Sequence, residues 1–179
     1  MESITLLADL GRYRWTVPVM ALIGVRGGGR FSDIALNVGL SRESLSRTLD
    51  GAITAGWLVR NPGHGHPLRP EYVPTAEGVR VAGTCRAIIA AQAQVGLPPD
   101  ALTRWSLPII RLIAEGEQRF NAIARALGDA TPRALAGSLK ALTGLRLVDR
   151  QILETYPPAT AYALTPQGNT MAQALLRAA

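Results

Sequence analysis

The amino-acid sequence predicts a mainly helical α+β protein with small β-hairpins, built from two tandem copies of one domain. The first observation is a repeat at a spacing of 90 residues, in which Arg14-Trp15-Thr16-Val17-Pro18 returns as Arg104-Trp105-Ser106-Leu107-Pro108. The second is that the spacing persists to the end of the chain. Leu45 and Leu49 return as Leu135 and Leu139, and Tyr72, Thr75 and Gly78 return as Tyr162, Thr165 and Gly168.

A repeat of this length predicts two domains, because solenoid repeats are shorter and need three or more copies. The stretch Gly96-Leu97-Pro98-Pro99 interrupts the helical pattern between the two repeats. We therefore predict one domain over residues 1–96 and a second over residues 97–179.

Composition favours a basic, globular protein that binds polyanions. The chain has 19 Lys and Arg against 13 Asp and Glu, a net charge of +6, divided equally between its halves. Such a balance favours nucleic acid as a partner. The N-terminus lacks the pattern of a signal peptide, and the longest uncharged run, residues 87–99, is too short and too polar to cross a membrane. We expect a cytoplasmic, nucleoid-associated protein with no membrane partner.

Two helices are predicted in order at the start of the first repeat. Residues 16–25 have apolar side chains at helical spacing. The run Gly27-Gly28-Gly29 predicts the turn before the next helix. Ser32 is then predicted as the N-cap of a short helix through Val38, which Gly39 ends.

A third helix follows, with Ser41 as its predicted N-cap and Gly56 at its end. Its apolar positions recur at i, i+4, i+7 and i+8, namely at Leu45, Leu49, Ala52 and Ile53. This spacing places them on one buried stripe.

A hairpin and a long helix complete the repeat. Residues 57–60 and 71–73 are predicted as antiparallel strands joined by a projecting loop, and Thr75 as the cap of a helix over residues 76–95. The second repeat has the same order, with Asn121 and Thr131 as caps, strands over residues 147–151 and 161–164, and a last helix after Thr165-Pro166. Short helix, turn, capped helix and hairpin together predict tandem winged helix-turn-helix domains.

The repeats resemble the HxlR family of bacterial winged-helix transcriptional regulators, which is related to the MarR group. The first repeat is most similar in its third helix, Ser41 to Leu49; the second at Tyr156-Pro157-Pro158, Tyr162 and Leu164-Thr165-Pro166. The resemblance implies a regulator that binds double-stranded DNA and pairs as a homodimer. Family members usually have one such domain per chain, and several carry an N-terminal cysteine switch that is absent here.

On the third helix of the first repeat, six side chains are predicted to point outward: Arg42, Glu43, Ser44, Ser46, Arg47 and Asp50. Arginine can contact guanine edges or phosphates, and serine suits bases or backbone. Glu43 occupies a position where the family usually has arginine, which shifts the expected base preference toward cytosine. The predicted DNA-binding residues of the first repeat are Ser32, Ser41, Arg42, Ser44, Ser46, Arg47 and the wing residue Arg69.

The corresponding helix of the second repeat has the outward set Pro132, Arg133, Ala134, Ala136, Gly137 and Lys140. Most of these side chains form no hydrogen bonds. We therefore predict base recognition by the first repeat, and at most phosphate contacts from Arg133, Lys140 and Arg150 in the second.

The predicted function is a repressor-type regulator that inserts the Ser41–Ile53 helix into the major groove, with a flanking wing. The second domain would serve packing, dimerisation or sensing of a small-molecule effector. Chain pairing through residues 1–14 and the helices around 80–95 and 167–179 is favoured over a single-chain pseudo-dimer. The alternative is a winged-helix scaffold for protein interaction or assembly that has lost sequence-specific DNA binding.

Other kinds of site find little support in the sequence. The pair His64 and His66 supplies too few ligands for a metal site. Cys85 is expected to pack as a small apolar residue rather than act as a redox sensor. No arrangement of nucleophile and base recurs, so we expect neither an enzyme nor a cofactor.

Overall fold

A computed structural model describes residues 2–61, 71–154 and 159–177. The chain divides into two compact units. The first unit contains residues 13–90, and the second unit contains residues 91–177 together with residues 2–12. This division differs from the predicted domains mainly in residues 2–12, which belong to the second unit.

The described elements alternate helices with short antiparallel strands, as the sequence predicted. In chain order they are α1 (Glu2–Leu10), α2 (Thr16–Arg26), β1 (Gly29–Arg30), α3 (Phe31–Val38), α4 (Arg42–Thr54), β2 (Leu58–Asn61), β3 (Glu71–Pro74), α5 (Ala76–Gln94), α6 (Ser106–Ala114), α7 (Phe120–Leu127), α8 (Pro132–Gly144), β4 (Val148–Leu153), β5 (Ala159–Leu164) and α9 (Pro166–Arg177). None of the described helices combines the length and apolar character needed to cross a membrane.

Most of the predicted helix boundaries are confirmed. The Ser41 hydroxyl accepts a hydrogen bond from the Ser44 N–H, and the Thr131 hydroxyl accepts one from the Ala134 N–H. Pro132 occupies the first turn of α8. Gly39 ends α3 in the left-handed conformation at φ 73°. These signals depend on hydrogen bonds between near neighbours in the chain, so they can be recognised from sequence.

Two predicted caps were wrong. Ser32 and Asn121 lie inside α3 and α7, and the cap positions belong to Arg30 and Arg119, whose side chains form no capping hydrogen bond. The reason is a strand that the sequence analysis missed. Gly29 and Arg30 pair with β3, and Arg119 bridges to Ala161, so an extended residue leads directly into each helix.

In the first unit, α2, α3 and α4 pack together and β1-β3-β2 form one antiparallel sheet. Leu45, Leu49 and Ala52 are buried as predicted, but Ile53 is only half-buried. Thr48 takes part in the core instead, and its hydroxyl donates to the Ser44 carbonyl at 2.8 Å. That hydrogen bond makes the burial of a threonine possible.

In the second unit, α6 packs against α7, α8, α9 and the hairpin β4-β5. The α1 helix also packs against α6, and it buries Leu7 and Leu10. At the end of α1, a Cβ on Gly11 would lie 2.1 Å from the Arg104 carbonyl oxygen, so only glycine permits this close approach. The segment that begins the chain therefore completes the core of the second unit.

The repeated Thr-x-x-Gly spacing forms the same joint in both units. The Thr75 hydroxyl donates to the Gly56 carbonyl at 2.7 Å and accepts from the Gly78 N–H at 3.0 Å. In the second unit, the Thr165 hydroxyl donates to Arg146 and accepts from Gly168 at the same distances. These hydrogen bonds join the start of the last helix to the turn before the first strand of the hairpin, which explains why the spacing is present twice.

The turn after α4 differs from the corresponding turn after α8. Gly56 adopts a positive φ of 75°, and Arg146, 90 residues later, has a φ of 57°. A left-handed conformation costs a residue with a side chain about 1 kcal/mol.

We expect Arg146→Gly to raise the free energy of unfolding by about 1 kcal/mol, measured by urea denaturation. Gly56→Ala is expected to lower it by about the same amount, because no atom lies within 4 Å of the added Cβ and strain acts alone. Equal stabilities of Arg146→Gly and the parent would contradict the assignment of strain.

Candidate nucleic-acid interface

The α4 helix presents a polar face to solvent along its whole length. Of the six side chains predicted to point outward, five are exposed and Ser44 is half-buried. At the amino end, Ser41 donates a hydrogen bond to the Ser44 hydroxyl at 3.0 Å. The side chains of Arg42, Ser46 and Arg47 are exposed to solvent, so the surface expected to contact DNA is accessible.

The exposed side chains of α4 are paired with one another. Arg47 donates to the carboxylate of Glu43, and the Ser46 hydroxyl donates to the Asp50 carboxylate at 3.3 Å. Both pairs join residues four apart on one helix face, and an exposed ion pair of this kind stabilises by only about 0.3–0.5 kcal/mol. The face offers donors and acceptors together, and the pairs can open for a ligand at little cost.

The other predicted DNA-binding residues of the first repeat are less well placed or lie outside the described residues. Ser32 is exposed on α3, where its hydroxyl donates to Asp33 at 3.4 Å. Arg69, His64 and His66 belong to residues 62–70, which the structure does not describe. The hairpin that leads to this loop places Arg60 opposite Tyr72, and Arg60 is exposed.

The α8 helix is the counterpart of α4 in the second unit. Both helices have 13 residues, and residues 131–140 repeat the burial pattern of residues 41–50 position by position. Arg133 and Lys140 are exposed on the outer face, together with Pro132, Ala136 and Gly137. Among the described residues, neither Arg133 nor Lys140 has an ion-pair partner.

The charges of the two helix-turn-helix segments have opposite sign. Residues 31–54 hold two arginines against Asp33, Glu43 and Asp50, a net charge of −1. Residues 120–144 hold three basic residues against Asp129, a net charge of +2. The positive charge of the second segment favours contacts with phosphates, as predicted for Arg133 and Lys140.

Arg150 extends the basic character of the second unit onto its hairpin. It lies on β4 opposite Tyr162, is exposed, and donates to the Thr160 hydroxyl at 3.5 Å. Residues 155–158, which include Tyr156, Pro157 and Pro158 of the predicted wing, lie outside the described residues.

Cys85 is completely buried in the first unit, and burial raises the pKa of its thiol. A thiol that resists ionisation is a poor nucleophile, so the structure agrees with a packing role. Within the described part of the chain, no group of three or more His, Cys, Asp or Glu side chains is arranged to hold a metal ion. The predicted absence of a metal site stays a prediction for the chain as a whole.

Comparison with known proteins finds a family similarity in the second unit. The family model for HxlR-like helix-turn-helix proteins matches residues 102–178, from the start of the turn before α6 to the end of α9. This part of the chain is therefore similar to HxlR-like helix-turn-helix proteins. The matched range includes α7 and α8.

Curated relatives include the uncharacterised HTH-type transcriptional regulator YtfH of Escherichia coli K12 and its counterpart of the same name in Shigella flexneri. Each is 32% identical over 71 residues, which cover 40% of this chain and 56% of the relative. The chain thus spans about half the length of the curated relatives it matches.

Solved structures with a partial likeness include two transcriptional regulators, both 27% identical to this chain. One is a proposed member of the MarR family from Enterococcus faecalis V583, with a TM-score of 0.41 over 51% of this chain and 77% of that one. The other is the reduced form of YodB from Bacillus subtilis, with a TM-score of 0.40 over 49% and 80%.

Proposed function

We propose that this protein is a bacterial DNA-binding transcriptional regulator that acts as a repressor. In this proposal the chain arose by duplication and contains two tandem winged helix-turn-helix domains of the HxlR type. The observation that carries it is the exposed polar face of α4, capped at Ser41 and supported on a buried stripe within a helix-turn-helix. The family match to residues 102–178 supports the same class for the second copy.

The recognition step is assigned to α4. Base edges in the major groove present both donors and acceptors, and the face of α4 offers both kinds of group. Arg42 and Arg47 would donate to guanine, while Glu43 would accept from the amino group of cytosine. Ser44 and Ser46 would contact bases or backbone, and Ser41 and Ser32 would lie beside the phosphates of the same site.

The proposed partners are an operator in double-stranded DNA, a second copy of the chain, and a small-molecule effector. For the homodimer, α5 and α9 are the proposed contacts; each exposes an apolar side chain, Val79 at 57% and Leu176 at 47%. The α1 helix is a poorer choice than the sequence suggested, because Leu7 and Leu10 are buried within the same chain. As a regulator, the protein would act in the cytoplasm, associated with the nucleoid.

The proposal is tested by replacing Arg42 and Arg47 with alanine. The measurement is the ratio of affinities for a duplex selected from a random pool and for a scrambled duplex of equal length. One good bidentate contact contributes about 1–3 kcal/mol of discrimination, so the double variant should lose roughly 10-fold or more of this ratio.

The control for this experiment is the double variant Arg26→Ala/Arg104→Ala, which removes two exposed arginines from the end of α2 and the turn before α6, outside α4, α8 and the proposed dimer contacts. Its ratio should equal that of the parent. If Arg133→Ala/Lys140→Ala lowers the ratio more than Arg42→Ala/Arg47→Ala does, base recognition belongs to the second unit and the assignment to α4 is wrong.

A protein-interaction or assembly scaffold is the second candidate. The observation that favours it is the net charge of −1 on residues 31–54, together with Leu36, which is 83% exposed on α3. A segment of this charge is not attracted to DNA by electrostatics alone. Duplex binding that weakens steeply with salt would favour the regulator, and the absence of any such binding would favour the scaffold.

A further inference from the structure

Between α4 and α8, the acidic positions are exchanged for basic residues and the basic positions for uncharged ones. Glu43 and Asp50 on the outer face of α4 correspond to Arg133 and Lys140 on α8, whereas Arg42 and Arg47 correspond to Pro132 and Gly137. The burial patterns of the two helices agree at each of these positions, so the exchange takes place on equivalent surfaces. One face therefore carries balanced charges and the other carries cations alone.

The exchange changes which groups of DNA each face can bind. Phosphate oxygens accept hydrogen bonds and are anionic, so a carboxylate beside them is repelled. The α4 face has two carboxylates, and one of its arginines is already paired with Glu43. The outer face of α8 has no carboxylate, and its two cations have no ion-pair partner among the described residues.

The remaining groups on the α8 face supply no base recognition. Pro132, Ala136 and Gly137 have no side-chain donor or acceptor, so a base edge finds no complementary group there. Packing does not require glycine at position 137, since an added Cβ would meet no atom within 4 Å. The equivalent residue in α4 is Arg47. Glycine at this position lacks both the length of the arginine side chain and its hydrogen-bond donors.

We infer that the outer face of α8, with Arg133 and Lys140, is a sequence-independent binding surface for the phosphate backbone of duplex DNA. This inference rests on the proposed DNA-binding function. The second unit then supplies the larger share of the salt-dependent affinity, and α4 supplies discrimination between sequences. Duplication has separated two tasks that a single recognition helix usually combines.

The test uses the full chain, a fluorescent duplex of scrambled sequence, and a salt titration from about 50 to about 200 mM. Each phosphate contact contributes about 0.9 to the slope of log affinity against log salt. Arg133→Ala/Lys140→Ala should therefore reduce the magnitude of the slope by about 2. The ratio of the parent's affinity to the variant's affinity should therefore fall about 10-fold between about 50 and about 200 mM salt. Arg133→Gln/Lys140→Gln, which removes both charges but keeps polar side chains, should give the same result.

The control Arg26→Ala/Arg104→Ala removes the same net charge away from α8, and its slope should stay that of the parent. An unchanged slope in Arg133→Ala/Lys140→Ala would overturn the inference, as would an equal fall in the control. A larger fall in Arg42→Ala/Arg47→Ala would also overturn it. If the parent binds no duplex at any salt concentration, the proposed function fails as well, so the two failures are distinguishable.

Discussion

Replacing Gly168 with alanine is expected to destabilise the second unit by about 3 kcal/mol. An added Cβ would lie 2.0 Å from the Leu147 carbonyl oxygen and 3.0 Å from its carbon. That oxygen already accepts a hydrogen bond from the Thr165 N–H at 3.1 Å, so it cannot move without breaking the joint between β4 and α9. Urea denaturation measures the loss of stability. Hydrogen exchange in peptides from residues 91–177 shows that the loss lies in the second unit.

Gly137→Ala provides the matched control in the same unit. Gly137 lies in the interior of α8, is exposed, and has no atom near the added Cβ. Alanine favours a helix over glycine by about 1 kcal/mol, so this variant should be more stable than the parent. If both variants change the free energy of unfolding in the same direction, the contact between Gly168 and the Leu147 carbonyl does not require glycine, and the prediction is wrong.

The second large effect is expected from Leu10→Ala in α1. Leu10 is 1% exposed, and truncation of a buried leucine to alanine costs about 2–5 kcal/mol. Because α1 packs against α6, the loss should appear in residues 91–177 and not in the neighbouring residues 13–90. Hydrogen exchange with mass spectrometry resolves the two units by their peptides.

Thr5→Ala is the control for this prediction, since Thr5 is exposed on the same helix. It should leave exchange in both units close to that of the parent. If Leu10→Ala accelerates exchange in residues 13–90 and leaves residues 91–177 protected, α1 belongs to the first unit. The expected result also implies that a fragment beginning at residue 91 would lack part of its core, because α1 would be missing.

Base discrimination and phosphate affinity can be separated experimentally because they respond to different variables. Discrimination is a ratio of affinities at one salt concentration, whereas phosphate binding is a slope against salt. The α4 and α8 double variants should change one quantity each. A single affinity measured at one salt concentration would mix the two effects.

Local signals in the sequence predicted most of the elements. The caps at Ser41 and Thr131 and the left-handed Gly39 depend on hydrogen bonds and sterics within a few residues, and the structure confirms them. The fold class and both hairpins also followed from periodicity. The caps predicted at Ser32 and Asn121 were wrong because β1 and its counterpart at Arg119 are formed by pairing with distant residues.

The sequence by itself determined the 90-residue repeat, the order of elements in each copy, and the outward positions of α4 and α8. Tertiary structure alone decided that α1 packs against α6 and that Gly29 and Arg30 pair with β3. The physical reason is the separation along the chain over which each kind of interaction acts. Periodicity and capping act over one or two helical turns, whereas the partner of an apolar helix face depends on which complementary surface the rest of the chain brings to it.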